Sequence, residues 1–300
     1  MSARAKKHGI AVNPALLRRW PLPAPSEEAD KEARGVALII GGTAETPGAL
    51  LLAGVAALRA GAGKLQIAGP GSCTVALGVA IPEARVFPLP ETSTGHLDRK
   101  AGQRAAEHAA GADAVLIGPG LLAEEATQKL METLLPRVSR DPLVLDAVAL
   151  SALRGGRYRF SADAPVLLTP NAAEIARLTG DTLEAVEANP AGIAAGVART
   201  LDAVVALKGS TTWIATPDGE SFEYSTGKVG LATSGSGDVL AGIAVGLLAR
   251  GATAEQAAAW AAYLHGEAGN RLARGFGRIG FLARELLPEI PALMNQLGRR

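Results

Sequence analysis

The sequence is short of the residues that mark several large classes of protein. It contains one cysteine, Cys73, so no disulfide can form within the chain, and a reducing compartment suits it. Aromatic residues make up only 4% of the 300, which argues against the base-stacking surfaces of single-strand-binding proteins. Neither sign of charge dominates, because 30 basic and 29 acidic side chains leave a net charge of +1. A polyanion-binding surface is therefore disfavoured, and we expect no nucleic-acid partner.

Long apolar runs are also missing. The longest, at residues 49–57 and 239–249, are shorter than the roughly 20 residues that span a bilayer. The basic first residues are not followed by the apolar segment of a signal peptide. We therefore expect no membrane partner and a cytoplasmic location, with Cys73 as a core residue rather than a nucleophile.

The rest of the sequence alternates between short apolar runs and helix-like stretches. The apolar runs, typical of buried strands, lie at residues 36–42, 64–70, 114–120, 142–147, 165–170 and 203–209. The helix-like stretches lie at residues 49–60, 97–110, 124–138, 172–179 and 190–201. Because the strand runs are apolar on both faces, we predict an α/β fold with a mostly parallel sheet covered by helices on both sides.

The two ends of the chain differ from this middle part. Residues 1–34 combine prolines with a charged run and lack periodicity, so we expect an N-terminal extension followed by a single domain over residues 35–300. Residues 211–226 contain two alternating runs around "PDGE", which predicts a hairpin at a sheet edge. "TAEQ" at residues 253–256 is a capping box for a helix that reaches about residue 273.

Glycines and polar residues follow the predicted strands, at the edge of the sheet where ligands bind in open α/β folds. They are Gly41 and Gly42, residues 118–120, Asp146, residues 169–171, and Lys208 with Gly209. Their expected convergence on one rim is the main functional signal in the sequence.

The stretch "SGSGD" at residues 234–238 predicts an anion site. Gly235, Ser236 and Gly237 would bring backbone N–H groups of a helix start close to a bound phosphate. Asp238 has two interpretations: an ordinary acidic residue in a first helical turn, or a general base that takes a hydroxyl proton as that oxygen attacks phosphorus. The excess of Gly and Ser before Asp238 favours the second.

Two further strand ends carry candidate ligands. In "KGSTT" at residues 208–212, Lys208 is either a solvated turn residue or a cation for a diphosphate. In "TPNAAE" at residues 169–174, Asn171 either caps a helix or joins Glu174 in positioning a phosphate-bound Mg²⁺, with Asp146 as a further acidic group. His265 is expected to be a packed or capping residue rather than a catalyst.

Taken together, these motifs resemble the ribokinase-like superfamily and, within it, the ADP-dependent NAD(P)H-hydrate dehydratases. The superfamily resemblance rests on "GSGD" and "NAAE". The family resemblance adds "GGTAETPGALLLAGVAALRAGAGKLQIA" at 41–68, "IGPGL" at 117–121, "LLTPNAAEIARLTG" at 167–180, "VVALKGSTTWIATPDG" at 204–219 and "AAYLHGEAGNRLA" at 261–273. It covers roughly residues 13–290.

The resemblance implies a ribokinase-like three-layer α/β/α sandwich with a mostly parallel central sheet and an edge hairpin. It also implies an enzyme that uses ADP to dehydrate hydrated NADH and NADPH, giving AMP, phosphate and the restored dinucleotide. By similarity, the adenine nucleotide would be bound by Lys208, Gly209, Ser210, Thr211, Thr212 and Gly237. The hydrated dinucleotide would contact Ala49, Gly120, Asn171 and Asp238.

In the implied reaction, Asp238 deprotonates the ring hydroxyl, which takes the terminal phosphoryl group of ADP, and elimination of phosphate restores the ring. Mg²⁺ is the implied cofactor. Many family members carry histidine where this chain has Asn171, and an amide cannot serve as an acid or base there. The resemblance further implies a homo-oligomer, of which a tetramer is one candidate form, and a separate epimerase that acts on the same substrate.

Two other functions remain open at this point. A kinase of the same superfamily, acting on a sugar, a pyrimidine or a thiazole alcohol, would use the same Asp238 and the same anion site. A nucleotide-binding protein without catalysis is disfavoured by the presence of both Asp238 and Lys208. The donor is open between ADP and ATP, because no residue visibly measures the length of the polyphosphate.

Overall fold

The computed structural model describes residues 9–23, 32–156, 158–225 and 229–298, and one sheet runs through them. The strands of this sheet are β1 Ile10–Ala11, β2 Val36–Ile40, β3 Lys64–Pro70, β4 Ala84–Leu89, β5 Ala114–Ile117, β6 Leu143–Leu145, β7 Val166–Leu168, β8 Val204–Leu207, β9 Thr211–Ala215 and β10 Ser221–Ser225. Their order across the sheet is β1-β10-β9-β8-β7-β6-β5-β2-β3-β4.

Helices connect most of the strands. They are α1 Pro14–Arg19, α2 Pro47–Arg59, α3 Thr74–Ala80, α4 Arg99–Ala109, α5 Glu124–Val138, α6 Ala172–Thr179, α7 Leu183–Ala188, α8 Pro190–Leu201, α9 Ser236–Ala249, α10 Ala254–Gly275, α11 Ala283–Leu286 and α12 Glu289–Gly298. Short 3₁₀ turns occur at Gly71–Cys73, Ala147–Leu153 and Val229–Leu231. Within the described part of the chain, no helix is both long enough and apolar enough to cross a bilayer.

Strand direction agrees with the prediction of a mostly parallel sheet. Only β9 runs against its neighbours, since it pairs antiparallel with β8 and with β10. The predicted hairpin is therefore present as β9 and β10. It is not the outermost element, because β1 pairs in parallel with β10 and aligns Ile10 with Phe222. The last strand position on this side belongs to the N-terminal segment, which the sequence analysis treated as an extension.

The opposite end of the sheet contains two elements that the sequence analysis did not predict, β4 and α3. The sequence of β4, "ARVFPL", has a proline at position 88 and only one fully buried side chain. A proline has no N–H to donate, and sheets accept it at edges, where β4 lies. The apolar pattern used to recognise buried strands is therefore absent from β4 for a physical reason.

Helices cover both faces of the sheet, which confirms the three-layer arrangement. Alternate residues of β2 show the division: Ala37 and Ile39 point into one core, while Leu38 and Ile40 point into the other. The first core is closed by α1, α2, α9, α10 and α12, and the second by α4, α5, α6 and α8. Cys73 is buried in the first core, as predicted.

Helix α9 is apolar on all sides and is almost entirely buried between α2, α10 and the sheet. Its contact with α2 depends on two glycines. A Cβ at Gly242 would lie 2.3 Å from the Ala53 carbonyl oxygen, and one at Gly246 would lie 2.5 Å from that of Ala57. The absence of side chains lets the two backbones touch, so α2 holds α9 in place and thereby fixes where α9 begins.

Candidate active site

A cavity of about 820 Å³ opens at the carboxyl ends of β6, β7 and β8. It brings together most of the residues that the sequence analysis singled out, from four separate segments. They are Asp146, Asn171, Glu174, Lys208, Gly209, Ser210, Thr212, Ser236, Gly237 and Asp238. The ends of β6, β7 and β8 thus meet in one cavity, whereas Gly41, Gly42 and residues 118–120, which follow β2 and β5, do not line it.

The start of α9 forms one wall of this cavity. Gly235 precedes the helix with φ of 85°, a conformation that glycine adopts readily, and a Cβ there would lie 2.4 Å from Leu52 of α2. No side chain in the described residues caps this helix, although the Ser236 N–H donates to the Thr233 carbonyl at 3.2 Å. The anion site of the first turn therefore depends on the N–H groups of Gly237 and Asp238. The positive end of the helix dipole points the same way, which makes this wall suited to phosphate.

Behind this wall, Ser236 is held by a histidine. Its Oγ lies 2.8 Å from Nε2 of His265 on α10, and both residues are buried. Burial, assisted by the charge of Lys208, lowers the pKa of His265 to about 4, so the imidazole is neutral. His265 is packed, as expected, but its place in the lining of the cavity was not predicted. Ala262, three positions earlier on the same face of α10, also lines the cavity, but an alanine in the sequence does not mark a cavity wall.

Opposite α9, Lys208 lies between two carboxylates. Its Nζ donates to Oδ1 of Asp146 at 2.7 Å and is 4.0 Å from Oε2 of Glu174. Burial disfavours the charged form of Lys208, but the negative charges of Asp146 and Glu174 outweigh it, so the pKa of this ammonium is raised. A Cβ on Gly237 would lie 3.4 Å from Nζ, which places the positive charge of Lys208 next to the first turn of α9.

Asn171 and Glu174 form a capping box at the start of α6. The Asn171 side chain accepts from the Glu174 backbone N–H at 2.9 Å, and the Glu174 carboxylate accepts from the Asn171 N–H at 2.8 Å. The capping interpretation of Asn171 is therefore confirmed, and it also fixes the Glu174 carboxylate toward Lys208. Burial raises the pKa of Glu174, although the Lys208 charge opposes this.

Asp238 occupies the third position of α9 and faces the cavity. Burial, together with the negative charges of Asp146 and Glu174, outweighs the attraction of Lys208 and raises the pKa of Asp238 to about 7. A carboxylate with this pKa is partly protonated near neutral pH, which suits a group that accepts a proton during a reaction.

The other predicted site residues lie beside this cavity rather than on its surface. Thr211 lines a neighbouring cavity of about 400 Å³ that shares Lys208, Gly209 and Ser210 with the larger one. Ala49 and Gly120 lie against each other, since a Cβ on Gly120 would be 3.0 Å from that of Ala49. Ala49 belongs to α2 and Gly120 to the loop after β5. In the same loop, Gly118 lies close to the Asp146 carbonyl, since a Cβ on it would be 2.0 Å from that oxygen.

The donors available to a metal are few. Among the described residues, no group of three or more His, Cys, Asp or Glu side chains is arranged to hold a metal ion. The Asp146 carboxylate is occupied by an ammonium, and the Asn171 amide oxygen by a backbone N–H. These residues therefore fit a hydrated Mg²⁺ that arrives on a phosphate, which is how this ion is usually bound, rather than an all-protein cage.

Comparison with known proteins gives consistent matches. A sequence profile described as NAD(P)H-hydrate dehydratase matches residues 37–292. The chain is 46% identical to an ADP-dependent (S)-NAD(P)H-hydrate dehydratase of Xanthomonas campestris, over 96% of this chain and 97% of that one. It is 41% identical, over 93% of its length, to the bifunctional NAD(P)H-hydrate repair enzyme Nnr of Moorella thermoacetica, of which it spans 53%.

The fold of this chain has also been seen before. A crystal structure of ADP/ATP-dependent NAD(P)H-hydrate dehydratase from Bacillus subtilis, co-crystallised with ATP and Mg²⁺, matches with a TM-score of 0.85 and 30% identity. The match covers 98% of this chain and 100% of that one, and confirms the ribokinase-like fold predicted above. On the strength of the profile and the near full-length relatives, the chain belongs to the NAD(P)H-hydrate dehydratase family.

Proposed function

We propose that this chain catalyses the ADP-dependent dehydration of hydrated NADH and NADPH, with AMP, phosphate and NAD(P)H as products. The observation that carries the proposal is the position of Asp238. A carboxylate with a pKa of about 7 lies at the uncapped start of a helix, next to the Lys208 ammonium, inside one cavity. A base, a cation and an anion site in contact are what phosphoryl transfer to a hydroxyl requires.

The first chemical step is phosphorylation of the ring hydroxyl. Asp238 takes the hydroxyl proton while that oxygen attacks the terminal phosphorus of ADP, and AMP leaves. The anion hole at Gly235, Ser236 and Gly237 would stabilise the charge on the transferred group. In the second step the phosphate ester leaves with its electron pair and a ring proton is lost, which restores the double bond. Phosphorylation thus turns hydroxide, a poor leaving group, into phosphate.

The nucleotide would occupy the cavity, and the dinucleotide would extend from it toward α2 and the loop after β5. We assign ADP to Lys208, Gly209, Ser210, Thr211, Thr212 and Gly237, and the hydrated dinucleotide to Ala49, Gly120, Asn171 and Asp238. The charge of Lys208 offsets that of the phosphates. The Asn171 amide is engaged in the capping box, so its part in the reaction is to hold Glu174 rather than to move a proton.

Mg²⁺ is the cofactor that suits these residues. Bound to the phosphates of ADP, it would neutralise their charge, and Glu174 with Asn171 would orient the water molecules around it. Asp146 is a further acidic group at this rim, beside Glu174 and Asp238.

The proposal is tested by incubating the purified protein with hydrated NADH and ADP. We expect the absorbance of NADH to return only when ADP is present, with AMP formed in equal amount. If ADP is not consumed and ATP phosphorylates a sugar or a vitamin precursor instead, the protein is a small-molecule kinase. Binding of the nucleotide with no turnover of any such substrate would indicate a binding protein.

Replacement of the proposed base gives a sharper test. We expect Asp238→Asn to bind ADP as the wild type does and to lose at least about 100-fold in kcat, which is typical of a lost general base. Asp181→Asn, the same change at an exposed position after α6, serves as the control and should leave kcat unchanged. Undiminished turnover by Asp238→Asn would remove this residue as the base.

We also propose a homo-oligomer and a separate epimerase as partners. Two valines of α3, Val75 and Val79, are 79% and 78% exposed, which suits burial against a second copy. Light scattering of the purified protein measures the assembly directly.

With a mixture of the two epimers of the hydrate, we expect the purified protein to consume only one of them and an added epimerase to complete the reaction.

A further inference from the structure

Asp146 is the most deeply buried carboxylate of the cavity, with 3% of its side chain exposed. It follows β6, and its backbone N–H donates to the Ile117 carbonyl of β5 at 3.0 Å. A single oxygen, Oδ1, accepts both from Lys208 Nζ at 2.7 Å and from Thr169 Oγ1 at 2.8 Å. The two residues that donate to this carboxylate follow neighbouring strands, β7 and β8, so the carboxylate has little freedom to reach a ligand.

The backbone next to Asp146 is strained. Ala147 has φ of 53°, one of two non-glycine residues with positive φ in the described part of the chain. This conformation costs an L-residue roughly 1–2 kcal/mol, so the surrounding contacts must hold it. Gly118 contributes, because its missing side chain lets its backbone lie against the Asp146 carbonyl, where a Cβ would be 2.0 Å away. The strained residue thus directly follows Asp146, whose carbonyl lies against Gly118.

We propose that Asp146 is a positioning residue that acts through Lys208: it holds the ammonium next to the anion site and to the proposed base, Asp238. This inference rests on the proposed function of the site. It assigns Asp146 a role without contact to Mg²⁺, in place of the metal-positioning role predicted from the sequence. Both Lys208 and Thr169 donate to the same oxygen of Asp146, Oδ1, which ties this carboxylate to protein donors.

The groups that face Asp238 define what this charge does. They are Asp146 after β6, Glu174 in α6, Lys208 after β8 and the neutral His265 in α10. The charge of Asp146 opposes ionisation of Asp238 directly, and it also occupies the ammonium that would otherwise favour ionisation. Both effects act in the same direction, so removing this one charge makes Asp238 a stronger acid and a weaker base.

The test is the pH dependence of kcat/KM between about pH 5 and about pH 9, where the acid limb reports the ionisation of the free enzyme's base. We expect Asp146→Asn to move this limb to lower pH by roughly one unit, as expected for a lost neighbouring charge. Asp146→Glu keeps the charge and should keep the limb where the wild type has it. Asp163→Asn is the matched control, because Asp163 is exposed and lies at the amino end of β7, away from the cavity at the carboxyl ends.

A metal-binding role predicts a different result. If Asp146 positions Mg²⁺, the acid limb of Asp146→Asn stays in place and the Mg²⁺ concentration for half-maximal rate rises. That outcome would overturn the proposal.

Stability provides a test that needs no turnover. Lys208→Met leaves Asp146 buried without its partner and should lower Tm. Adding Asp146→Asn to Lys208→Met should recover part of this loss, because the two charges compensate each other. Additive losses would show that Asp146 and Lys208 act independently. If the wild type dehydrates no hydrate, the proposed function fails, and this cycle still decides whether Asp146 holds Lys208.

Discussion

At the scale of single residues, the charge of Asp238 destabilises the fold but serves the proposed reaction. An aspartate normally ionises far below neutral pH, whereas burial and two nearby carboxylates move the pKa of Asp238 from 3.8 to about 7. In the folded chain, ionised Asp238 therefore costs free energy that the unfolded chain does not pay. This cost is absent below the unfolded pKa, grows as the pH rises, and is complete above about pH 7.

A pH-dependent gain in stability follows for the neutral variant. We expect Asp238→Asn to unfold at a higher Tm than the wild type at about pH 8, and the gain to shrink toward about pH 5, where wild-type Asp238 is protonated. Calorimetry at the two pH values measures the difference. A Tm change of equal size at both would mean that the charge of Asp238 is not the cause.

The strained residue beside Asp146 gives a second prediction at this scale. Glycine adopts positive φ without cost, so Ala147→Gly should stabilise the fold or leave it unchanged, although alanine-to-glycine changes within helices usually cost about 0.5–1 kcal/mol. Ala106→Gly, in the middle of α4, is the control that should show this ordinary loss. Denaturant unfolding of both variants checks the prediction, and equal losses would contradict it.

At the scale of elements, α9 connects the core to the chemistry, because its buried length determines where Asp238 lies. Gly242→Ala would place a Cβ 2.3 Å from a backbone oxygen of α2. This oxygen cannot move away unless the backbone of α2 shifts. We expect it to destabilise the protein by about 1–3 kcal/mol and to lower kcat, since α9 must shift.

Gly196→Ala on α8 is the matched control for that change. A Cβ at Gly196 meets nothing within 4 Å, so this variant should gain roughly 0.5–1 kcal/mol from the better helix propensity of alanine. A destabilised Gly196→Ala, or a neutral Gly242→Ala, would show that the contact between α2 and α9 does not require glycine.

The elements also show what the sequence can predict. The bounds predicted for α5, α6 and α8 agree with the structure at both ends. For the last two the reason is local chemistry: a capping box at Asn171 and a left-handed Gly180 delimit α6, and Pro190 begins α8. β4 and α3 were missed, because β4 is a half-exposed edge strand with a proline and α3 is only seven residues long.

The candidate site was predictable in its parts but not in its contacts. Asp146, Lys208 and Asp238 could each be singled out because each follows or precedes a recognisable element. The ion pair between Asp146 and Lys208 could not, because it joins positions 62 residues apart through the order of β6, β7 and β8 in the sheet. His265 was missed as a lining residue for the same reason, since its partner Ser236 lies on another helix.

At the scale of the whole molecule, residues 9–23 pack into the core. Leu17 of α1 is fully buried, and Trp20 stacks on Phe222 of β10. The Trp20 carbonyl also accepts from the indole N–H of Trp260 at 3.0 Å. This described part of the predicted extension thus contributes apolar surface and hydrogen bonds to the domain predicted at residues 35–300.

Truncation of a single leucine tests this contribution. We expect Leu17→Ala to destabilise the whole protein by about 2–5 kcal/mol in one cooperative transition, as for other core leucines. Leu183→Ala, where the side chain is 42% exposed, should cost less than about 0.5 kcal/mol. A separate early transition in Leu17→Ala would mean that the segment unfolds independently of the sheet.

The pairing of β1 with β10 has a consequence for how the protein is made. Residues near position 10 emerge from the ribosome before the other described strands, but the strand they pair with is about 200 residues further along the chain. At synthesis rates of roughly 5–20 residues per second, this partner appears about 10–40 seconds later. During that interval β10 and α12, against which this segment packs, have not been made, so we expect Val12 and Leu17 to stay exposed on the nascent chain. Of the described strands, β1 is translated before the others but can pair only after β10 has been made.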